Sequence, residues 1–313
     1  MNLAVRTENL TRKFGRTVAL DCVDLAVPEG AIYALVGANG AGKTTLIKLV
    51  MNIIRPTAGR AQVFGLDSQA LKGKAFCRIA YVSENQELPE GMTVGEMLDY
   101  FRPFYPAWDR TLEQQLVRQF DLPLKRKLKH LSRGMKMKAA FASSLAFRPP
   151  LIVLDEPFGG LDPLVRDELI EGLIERAPEA TIFLSSHDLA EIESFSSHLG
   201  FLEQGRLLFS EEMSVLGSRF REVTVTRESP SPPPANLPAA WLQPEAADCV
   251  FRFVHSDFNQ QSSPRELAER FPSARSISCE PMSLRSIFLA IAKAGRDSSV
   301  SPSHQTTVQE NVA

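Results

Sequence analysis

The 313-residue sequence has few cysteines, no long apolar run and almost no excess of either charge. Its four cysteines stand far apart and form no Cys-x-x-Cys pair, which argues against a zinc site and against a disulfide framework. No apolar run approaches the roughly 18 residues that a membrane-spanning helix needs, and charges interrupt the first residues, where a secretory signal would be apolar. We therefore expect a cytoplasmic chain that reaches a membrane only through a partner.

The charges nearly cancel, since 35 lysines and arginines face 37 acidic residues for a formal charge of -2. Such a balance creates no global field that would attract nucleic acid or an acidic membrane surface, so we expect no nucleic-acid partner. The length is sufficient for a full hydrophobic core, and it permits either one large domain or two.

Hydrophobic patterning predicts three parts. Residues 1–217 alternate short β-rich runs with helical segments, as in an α/β domain, and include a mostly helical block at about 93–147. Residues 218–296 predict a small α+β module, which contains a proline-rich loop at 228–238. Residues 297–313 are polar and lack periodicity, so we predict a disordered tail.

The most informative segment is GANGAGKTT at residues 37–45, which fits the phosphate-binding pattern GxxxxGK[ST]. It follows an apolar β-run and opens a segment with helical spacing, which is the context that a P-loop requires. Glycine-rich backbone at a helix N-terminus turns N–H groups toward phosphate oxygens, and the alternative is a chance glycine-rich turn. Lys43 would contact the β- and γ-phosphates, and the Thr44 hydroxyl would bind Mg²⁺. The predicted nucleotide-binding residues of this segment are Gly37, Ala38, Asn39, Gly40, Ala41, Gly42, Lys43, Thr44 and Thr45.

A pair of acidic residues follows the apolar run LIVL at 151–154. A carboxylate at the end of a buried strand beside a P-loop is placed to hold Mg²⁺, which assigns Asp155 to the metal. Glu156 can polarise the water that attacks the γ-phosphate. An apolar run followed by Asp-Glu can also simply begin a surface turn, but the complete P-loop upstream favours the catalytic interpretation.

The remaining motifs resemble, in order, those of the ATPase domains of ABC transporters over about residues 3–217. The sequence LSRGM at 131–135 resembles the LSGGQ signature of that family, and GGLD at 159–162 resembles its D-loop. By the same resemblance, SSHD at 185–188 places the switch histidine of that family at His187. The resemblance implies an α/β fold of the P-loop NTPase, ABC-ATPase type, with a mixed sheet core, an N-terminal antiparallel β subdomain and a helical insertion; the small C-terminal α+β module is additional.

The resemblance also implies a mechanism with ATP and Mg²⁺ as cofactors. Two copies of the chain would enclose two ATP molecules, and Ser132 and Gly134 of one copy would cover the γ-phosphate bound by the other. His187 would keep the attacking water aligned with Glu156. Phe14 matches the aromatic residue that stacks on adenine, although it could also be an ordinary core aromatic.

Two elements depart from the family pattern. The glutamine that this family normally has soon after a strand is replaced by Glu84 in IAYVSENQ, and Glu84 can still accept hydrogen bonds from the attacking water or from a metal-bound water. We therefore keep Glu84 as a candidate for catalysis and for Mg²⁺, while Gln86 leaves a shifted loop open. In the signature, Arg133 and Met135 replace glycine and glutamine. Arg133 could add a cation near phosphate or point to solvent.

The segment SCEPMSLRSIFLAIAKAG at 278–295 resembles the end of many exporter-type ATPase subunits. The leading hypothesis is therefore an exporter ATPase that acts as a homodimer on separate transmembrane permease subunits, at the inner face of the membrane. The permease would dock near residues 84–105. Two alternatives are a soluble ABC ATPase acting on ribosomes or nucleic acid, and a nucleotide-sensing module with little turnover.

Overall fold

The computed structural model describes residues 2–298 except 231, 233 and 235, and the chain divides into two compact units, Met1–Met213 and Ser214–Ala313. Within the described ranges, no helix is both long enough and apolar enough to cross a membrane. The predicted disordered tail lies outside the described residues from residue 299 onward, and its first two residues end the last helix.

The first unit contains two sheets and the helices that pack around them. Its strands are β1 (Leu3–Phe14), β2 (Thr17–Pro28), β3 (Ile32–Val36), β4 (Ala58–Val63), β5 (Leu66–Asp67), β6 (Ile79–Ser83), β7 (Leu151–Asp155), β8 (Thr181–Ser186), β9 (His198–Glu203) and β10 (Arg206–Glu212). Its helices are α1 (Lys43–Val50), α2 (Val94–Phe101), α3 (Arg110–Gln119), α4 (Arg133–Leu145), α5 (Pro163–Ile174) and α6 (Leu189–Ile192).

The two sheets differ in strand direction. The N-terminal sheet has the order β2-β1-β4-β5 and is antiparallel throughout. The six-stranded sheet has the order β10-β9-β3-β8-β7-β6, in which β10 is antiparallel to β9 and the other neighbours are parallel. Strands β7 and β8 are buried along their whole length, because helices cover both faces of a parallel sheet.

The parallel strands place their carboxyl ends at one edge of the sheet, where ligands bind in open α/β folds. The P-loop leaves β3 at that edge, Asp155 ends β7 with Glu156 next to it, and His187 follows β8. The register is specific, since Asp155 pairs with both Ser83 of β6 and Ser185 of β8. The sheet therefore brings together residues that lie more than a hundred positions apart.

Helices α2, α3 and α4 occupy the segment 93–147. Each begins at a polar side chain that accepts hydrogen bonds from the first turn, namely Thr93, Asp109 and Ser132. Thr93 and Glu96 form a reciprocal capping box at the start of α2. Such caps satisfy backbone donors that the helix itself cannot, and they fix the point at which each helix begins.

The described residues of the second unit form one antiparallel sheet and three helices. Its elements are α7 (Met213–Arg219), β11 (Arg221–Arg227), β12 (Trp241–Ala247), β13 (Val250–His255), α8 (Ser263–Arg270), β14 (Ala274–Pro281) and α9 (Leu284–Ser298). The strand order is β12-β13-β11-β14. Its core is aromatic, because Trp241 stacks on Phe253 at 4.1 Å between ring centroids and on Phe271 at 5.8 Å.

Candidate nucleotide-binding and hydrolysis site

The P-loop connects the end of β3 to the first turn of α1. Gly40 and Gly42 have φ values of 83° and 109°, which a side chain would strain. At Gly37 a Cβ atom would lie 2.2 Å from the backbone oxygen of Leu202. The predicted residues at its tip, Ala38, Asn39 and Gly40, are exposed, while Gly37, Ala41 and Lys43 are buried; Gly42 and Thr45 are half-buried and Thr44 is exposed.

The turn between β9 and β10 supports the P-loop from behind. The backbone N–H of Gly205 donates to the backbone oxygen of Ala41 at 2.9 Å, and that of Asp21 donates to the oxygen of Gly205 at 2.9 Å. Together with the close approach of Leu202 to Gly37, these bonds fix the loop against two other segments.

Lys43 is buried at the centre of the site, with 4% of its side chain exposed. Its Nζ atom donates to the backbone oxygens of Gly37 at 2.6 Å and Ala38 at 3.1 Å, and it lies 3.0 Å from Oε1 of Glu156. A buried ammonium needs such partners because desolvation of an unpaired charge is costly. The lysine is thus held in the loop by the loop's own carbonyl groups.

Asp155 ends the buried strand β7 and accepts two hydroxyl hydrogen bonds. Thr44 Oγ1 donates to its Oδ1 at 2.9 Å, and Ser185 Oγ donates to the same atom at 2.8 Å. Burial raises the pKa of the Asp155 carboxyl, and the two hydroxyl groups oppose that rise. A nearby cation would therefore stabilise the ionised form of this group.

The donor set at this point fits a magnesium ion. Thr44 and Asp155 offer hard oxygen atoms that lie side by side, and no group of three or more His, Cys, Asp or Glu forms a metal cluster in the described part of the chain. Mg²⁺ in nucleotide sites is bound through one or two carboxylates together with phosphates and water, rather than by an all-protein cage. Thr44 and Asp155 are the residues that would hold it.

Glu156 adopts a left-handed backbone conformation with φ of 50° directly after Asp155. Its backbone N–H donates to Ser185 Oγ at 3.0 Å. Its Oε2 atom lies 2.7 Å from Nδ1 of His187, so the carboxylate joins the histidine on one side and Lys43 on the other. The hydrogen bond to Glu156 raises the pKa of the His187 imidazole.

Three predicted nucleotide-binding residues lie outside this cluster. Ser132 is the N-cap of α4, where its Oγ accepts from the N–H of Met135 at 3.2 Å. Gly134 is buried in the first turn of α4, and a Cβ atom there would lie 3.1 Å from a methyl group of Val165 on α5. Phe14 ends β1 with 48% of its surface exposed, and the Arg12 guanidinium lies 4.4 Å from its ring centroid.

The backbone of Glu84 contacts the site, whereas its side chain contacts Arg133. Its N–H donates to the backbone oxygen of Asp155 at 2.8 Å. Its carboxylate oxygen Oε1 accepts from Nη2 of Arg133 at 2.9 Å, whereas the Thr44 hydroxyl donates to Asp155. The Arg133 side chain is also 48% exposed, so its two interpretations, near phosphate or toward solvent, both stay predictions.

Ser185 was not predicted as a positioning residue, although the sequence carried a signal for it. Its hydroxyl donates to Asp155 and accepts from the N–H of Glu156, so one side chain orients both acidic residues. Serine is mostly exposed in proteins, so a serine after the apolar run IFL of a buried strand is a signal, and here it lies opposite Asp155 in the parallel register. A prediction of strand pairing would have identified it.

Comparisons with known proteins agree with this geometry. A family model described as ABC transporter matches residues 20–159. The chain is 32% identical over 228 residues to the bacitracin transport ATP-binding protein BcrA of Enterococcus faecalis, with 72% of this chain and 74% of that protein covered. It is 31% identical over 265 residues to the daunorubicin resistance ATP-binding protein DrrA2 of Streptomyces coeruleorubidus, with 81% and 82% covered.

Solved structures show the same fold. A structure described as the ATP-binding subunit of an ABC transporter superposes with a TM-score of 0.62 at 30% identity, covering 67% of this chain and 90% of that chain. A dimeric ATP-binding cassette bound to ADP and phosphate superposes with a TM-score of 0.60 at 22% identity, covering 67% and 98%. The predicted P-loop NTPase fold of ABC-ATPase type is confirmed. The chain therefore belongs to the ABC transporter family, as one of its ATP-binding proteins, and is an ATPase.

Proposed function

We propose that the chain is the ATPase subunit of an ABC exporter, that it dimerises around two ATP molecules, and that it drives a separate transmembrane permease. The observation that carries this proposal is the separation of two half-sites in one chain. Lys43, Asp155 and Glu156 form one contact cluster, while Ser132 and Gly134 make their contacts at the start of α4. A second copy can supply the missing half.

The first half-site holds the phosphates and activates water. Lys43 and the N–H groups of the P-loop bind the β- and γ-phosphates. Glu156 accepts the proton of the attacking water, and His187 holds the Glu156 carboxylate in place through its 2.7 Å hydrogen bond. Thr44 and Asp155 are the residues that would hold Mg²⁺, and the ion would supply positive charge to the phosphates.

The second half-site closes over the ATP that a partner copy binds. The N-terminus of α4 offers backbone N–H groups and the positive end of a helix dipole, both of which favour an anion. Ser132 already has its backbone fixed as the N-cap of α4, and Gly134 is fixed against Val165. This half-site is thus rigid before it meets phosphate, as electrostatic catalysis requires. Phe14 is accessible for stacking on the adenine.

An aromatic-lined cavity of about 460 Å³ supports docking of a permease at the first unit. Its walls come from the end of α1, from β6 and the loop after it, and from the helical segment; they include Phe76, Tyr81, Leu88, Phe101, Tyr105 and Phe147. The cavity overlaps the segment 84–105, where the loop bearing Glu84 follows β6. A helix of the permease would place this chain at the inner face of the membrane.

The exporter assignment draws on the relatives and on the second unit. The relatives are named for bacitracin transport and daunorubicin resistance. The match to the daunorubicin resistance protein covers 81% of this chain, which is more than residues 1–213 can supply. It therefore reaches into the second unit. We assign residues 1–217 to the ATPase domain and residues 218–296 to an accessory module of this exporter class.

The test is co-purification and stimulation. We expect the chain to co-purify with a membrane permease and its ATP turnover to rise when that permease is present in liposomes. Leu88→Glu, in the cavity wall, should abolish stimulation and spare basal turnover. Leu66→Glu, at an exposed position of β5, is the matched control and should spare both. A chain that neither binds a permease nor is stimulated by one would overturn the proposal.

A further inference from the structure

Two of the three residues that depart from the family pattern, Glu84 and Arg133, contact each other. Glu84 follows β6 and Arg133 is the first residue of α4, and the two are 49 positions apart in sequence. Nη2 of Arg133 donates to Oε1 of Glu84 at 2.9 Å, and the pair is partly exposed, at 42% and 48% of the respective side chains. Neither departure is therefore isolated.

The pair also lies against the loop that follows the acidic residues. A Cβ atom on Gly159 would lie 3.3 Å from Oε1 of Glu84, and one on Gly160 would lie 2.8 Å from Nη1 of Arg133. Gly160 has a φ of 67°, so glycine is suited to this position both sterically and conformationally. Three loops thus meet at one ion pair.

Each side of the pair is anchored to a different half-site. The N–H of Glu84 donates to the backbone oxygen of Asp155, which ties it to the phosphate side. Arg133 directly follows Ser132, the N-cap of α4, which ties it to the side that faces a partner copy. The guanidinium group is planar and its donors have fixed directions, so its bond to Glu84 constrains the orientation of the Arg133 side chain as well as pairing its charge.

We propose that Glu84 and Arg133 form a positioning pair that sets the N-terminus of α4 relative to Asp155 and Glu156 of the same chain. This inference rests on the proposed function, and in it the pair acts through the position of α4. The pair orients Ser132 and Gly134 toward the ATP of the partner copy. Separation of the pair leaves each half-site intact but misaligns one with the other.

We expect the Glu84–Arg133 pair to contribute little to the free energy of folding but to change the KM for ATP. Ion pairs exposed to this degree contribute little to folding, because water screens them. A structural role alone would therefore change neither the KM for ATP nor the cooperativity of turnover. A positioning role changes both, because the γ-phosphate contacts made by the second copy depend on the angle of α4.

The experiment is a double-mutant cycle on the full chain with Glu84→Ala, Arg133→Ala and the double variant. We expect each single variant to raise the KM for ATP more than it lowers kcat, and the double variant to be no worse than the poorer single variant. The expected coupling factor in kcat/KM is about threefold or more. Glu84→Gln keeps an oxygen acceptor for Arg133 and should retain a KM near that of the wild type.

A matched control is available in the second unit. Glu222 and Arg252 form an ion pair of 3.3 Å with 48% and 56% exposure, close to that of Glu84 and Arg133. The same cycle on Glu222→Ala and Arg252→Ala should show no coupling in kcat/KM. This control separates the loss of an exposed ion pair in general from the loss of this one.

Two results would overturn the inference. Independent effects, which multiply in the double variant, would show that the residues do not act together. A rise in KM for Arg133→Ala alone, with none for Glu84→Ala, would assign Arg133 to the phosphate directly. Formation of an ATP-dependent dimer by Glu156→Gln tests the proposed function separately, so additive effects in a chain that still dimerises contradict only the positioning pair.

Discussion

The Nζ atom of Lys43 lies 3.0 Å from the Oε1 atom of Glu156, so the cation that we propose for the phosphates and the carboxylate that we propose for the attacking water form one ion pair. His187 contacts the other carboxylate oxygen at 2.7 Å. The two oxygens of Glu156 are thereby assigned to different partners. The orientation of the carboxylate is fixed from both sides, which is the condition for aligned proton transfer.

Removal of the Glu156 charge should stop hydrolysis while sparing binding. We expect Glu156→Gln to lower kcat by about 100-fold or more, as loss of a general base does, and to accumulate as an ATP-bound dimer. Steady-state phosphate release and size-exclusion chromatography with ATP measure the two effects. Glu171→Gln, an exposed position of α5, is the control and should behave as wild type. Equal turnover of the two variants would remove Glu156 from the mechanism.

Removal of the Lys43 ammonium should weaken nucleotide binding itself. Hydrogen bonds to charged groups contribute about 1.5–3 kcal/mol each, so Lys43→Ala should raise the Kd for ATP by roughly 10- to 100-fold. Titration with a fluorescent ATP analogue measures the change. Lys74→Ala, an exposed lysine before β6, should leave the Kd unchanged. A Kd for Lys43→Ala within a factor of two of wild type would contradict the assignment.

The His187 imidazole should titrate above its ordinary value, because its hydrogen bond to Glu156 stabilises the protonated form. Its raised folded-state pKa means that the interaction stabilises the fold below pH 6.5 and that this contribution is lost as pH rises through the folded-state pKa. NMR titration of the His187 ring measures this pKa directly. In Glu156→Gln the pKa should fall. A pKa that is the same in both proteins would show that Glu156 does not determine it.

Neutralisation of Asp155 should separate stability from activity. The raised pKa shows that burial disfavours the ionised form, so Asp155→Asn should keep or raise the melting temperature while abolishing turnover. Asparagine retains an oxygen acceptor for Thr44 and Ser185. Asp155→Ala removes that acceptor and should destabilise the fold by about 1–3 kcal/mol. Calorimetry measures the melting temperatures of the two variants, and ATPase assays measure their turnover. A strongly lowered melting temperature of Asp155→Asn would contradict the prediction.

Two P-loop glycines should respond differently to the same added methyl group. A Cβ atom at Gly42 would lie 2.6 Å from the backbone oxygen of Ala19, whereas nothing lies within 4 Å of one at Gly40. Gly40→Ala should cost about 1–2 kcal/mol through its positive φ alone, and Gly42→Ala should cost more because backbone must also move. Chemical denaturation measures both. An equal loss of unfolding free energy in the two variants would contradict this prediction, because it would show that the backbone near Ala19 can shift without a measurable penalty.

The sequence predicted the parts of the site that depend on local pattern. GANGAGKTT between a strand and a helix indicated the P-loop, and LIVLDEP indicated a buried strand followed by two acidic residues. The role of Ser185 depends on the register of β7 and β8, which no local pattern specifies. The contact of Glu84 with Arg133 depends on where α4 packs, so the sequence left Arg133 with two interpretations.

The second unit shows a different limit of prediction. Strand β12 was not predicted, because Pro244 interrupts it and its sequence, WLQPEAA, lacks a regular alternation of apolar and polar residues. It forms nevertheless at the edge of the sheet, where a missing N–H is tolerated, and its pairing with β13 shifts between Leu242 and Glu245. Trp241 at its first position fills the aromatic core and stabilises it. Long-range packing thus overrides the local signal.

The support of the P-loop by Leu202 and Gly205 has a consequence for biosynthesis. The loop is made early, but β3 pairs with β8 and β9, and the turn that braces Ala41 is translated about 160 residues later. A nascent chain that has not yet emerged past Gly205 lacks the contacts that brace this loop in the folded unit. We therefore expect ATP to stabilise the first unit after its synthesis is complete.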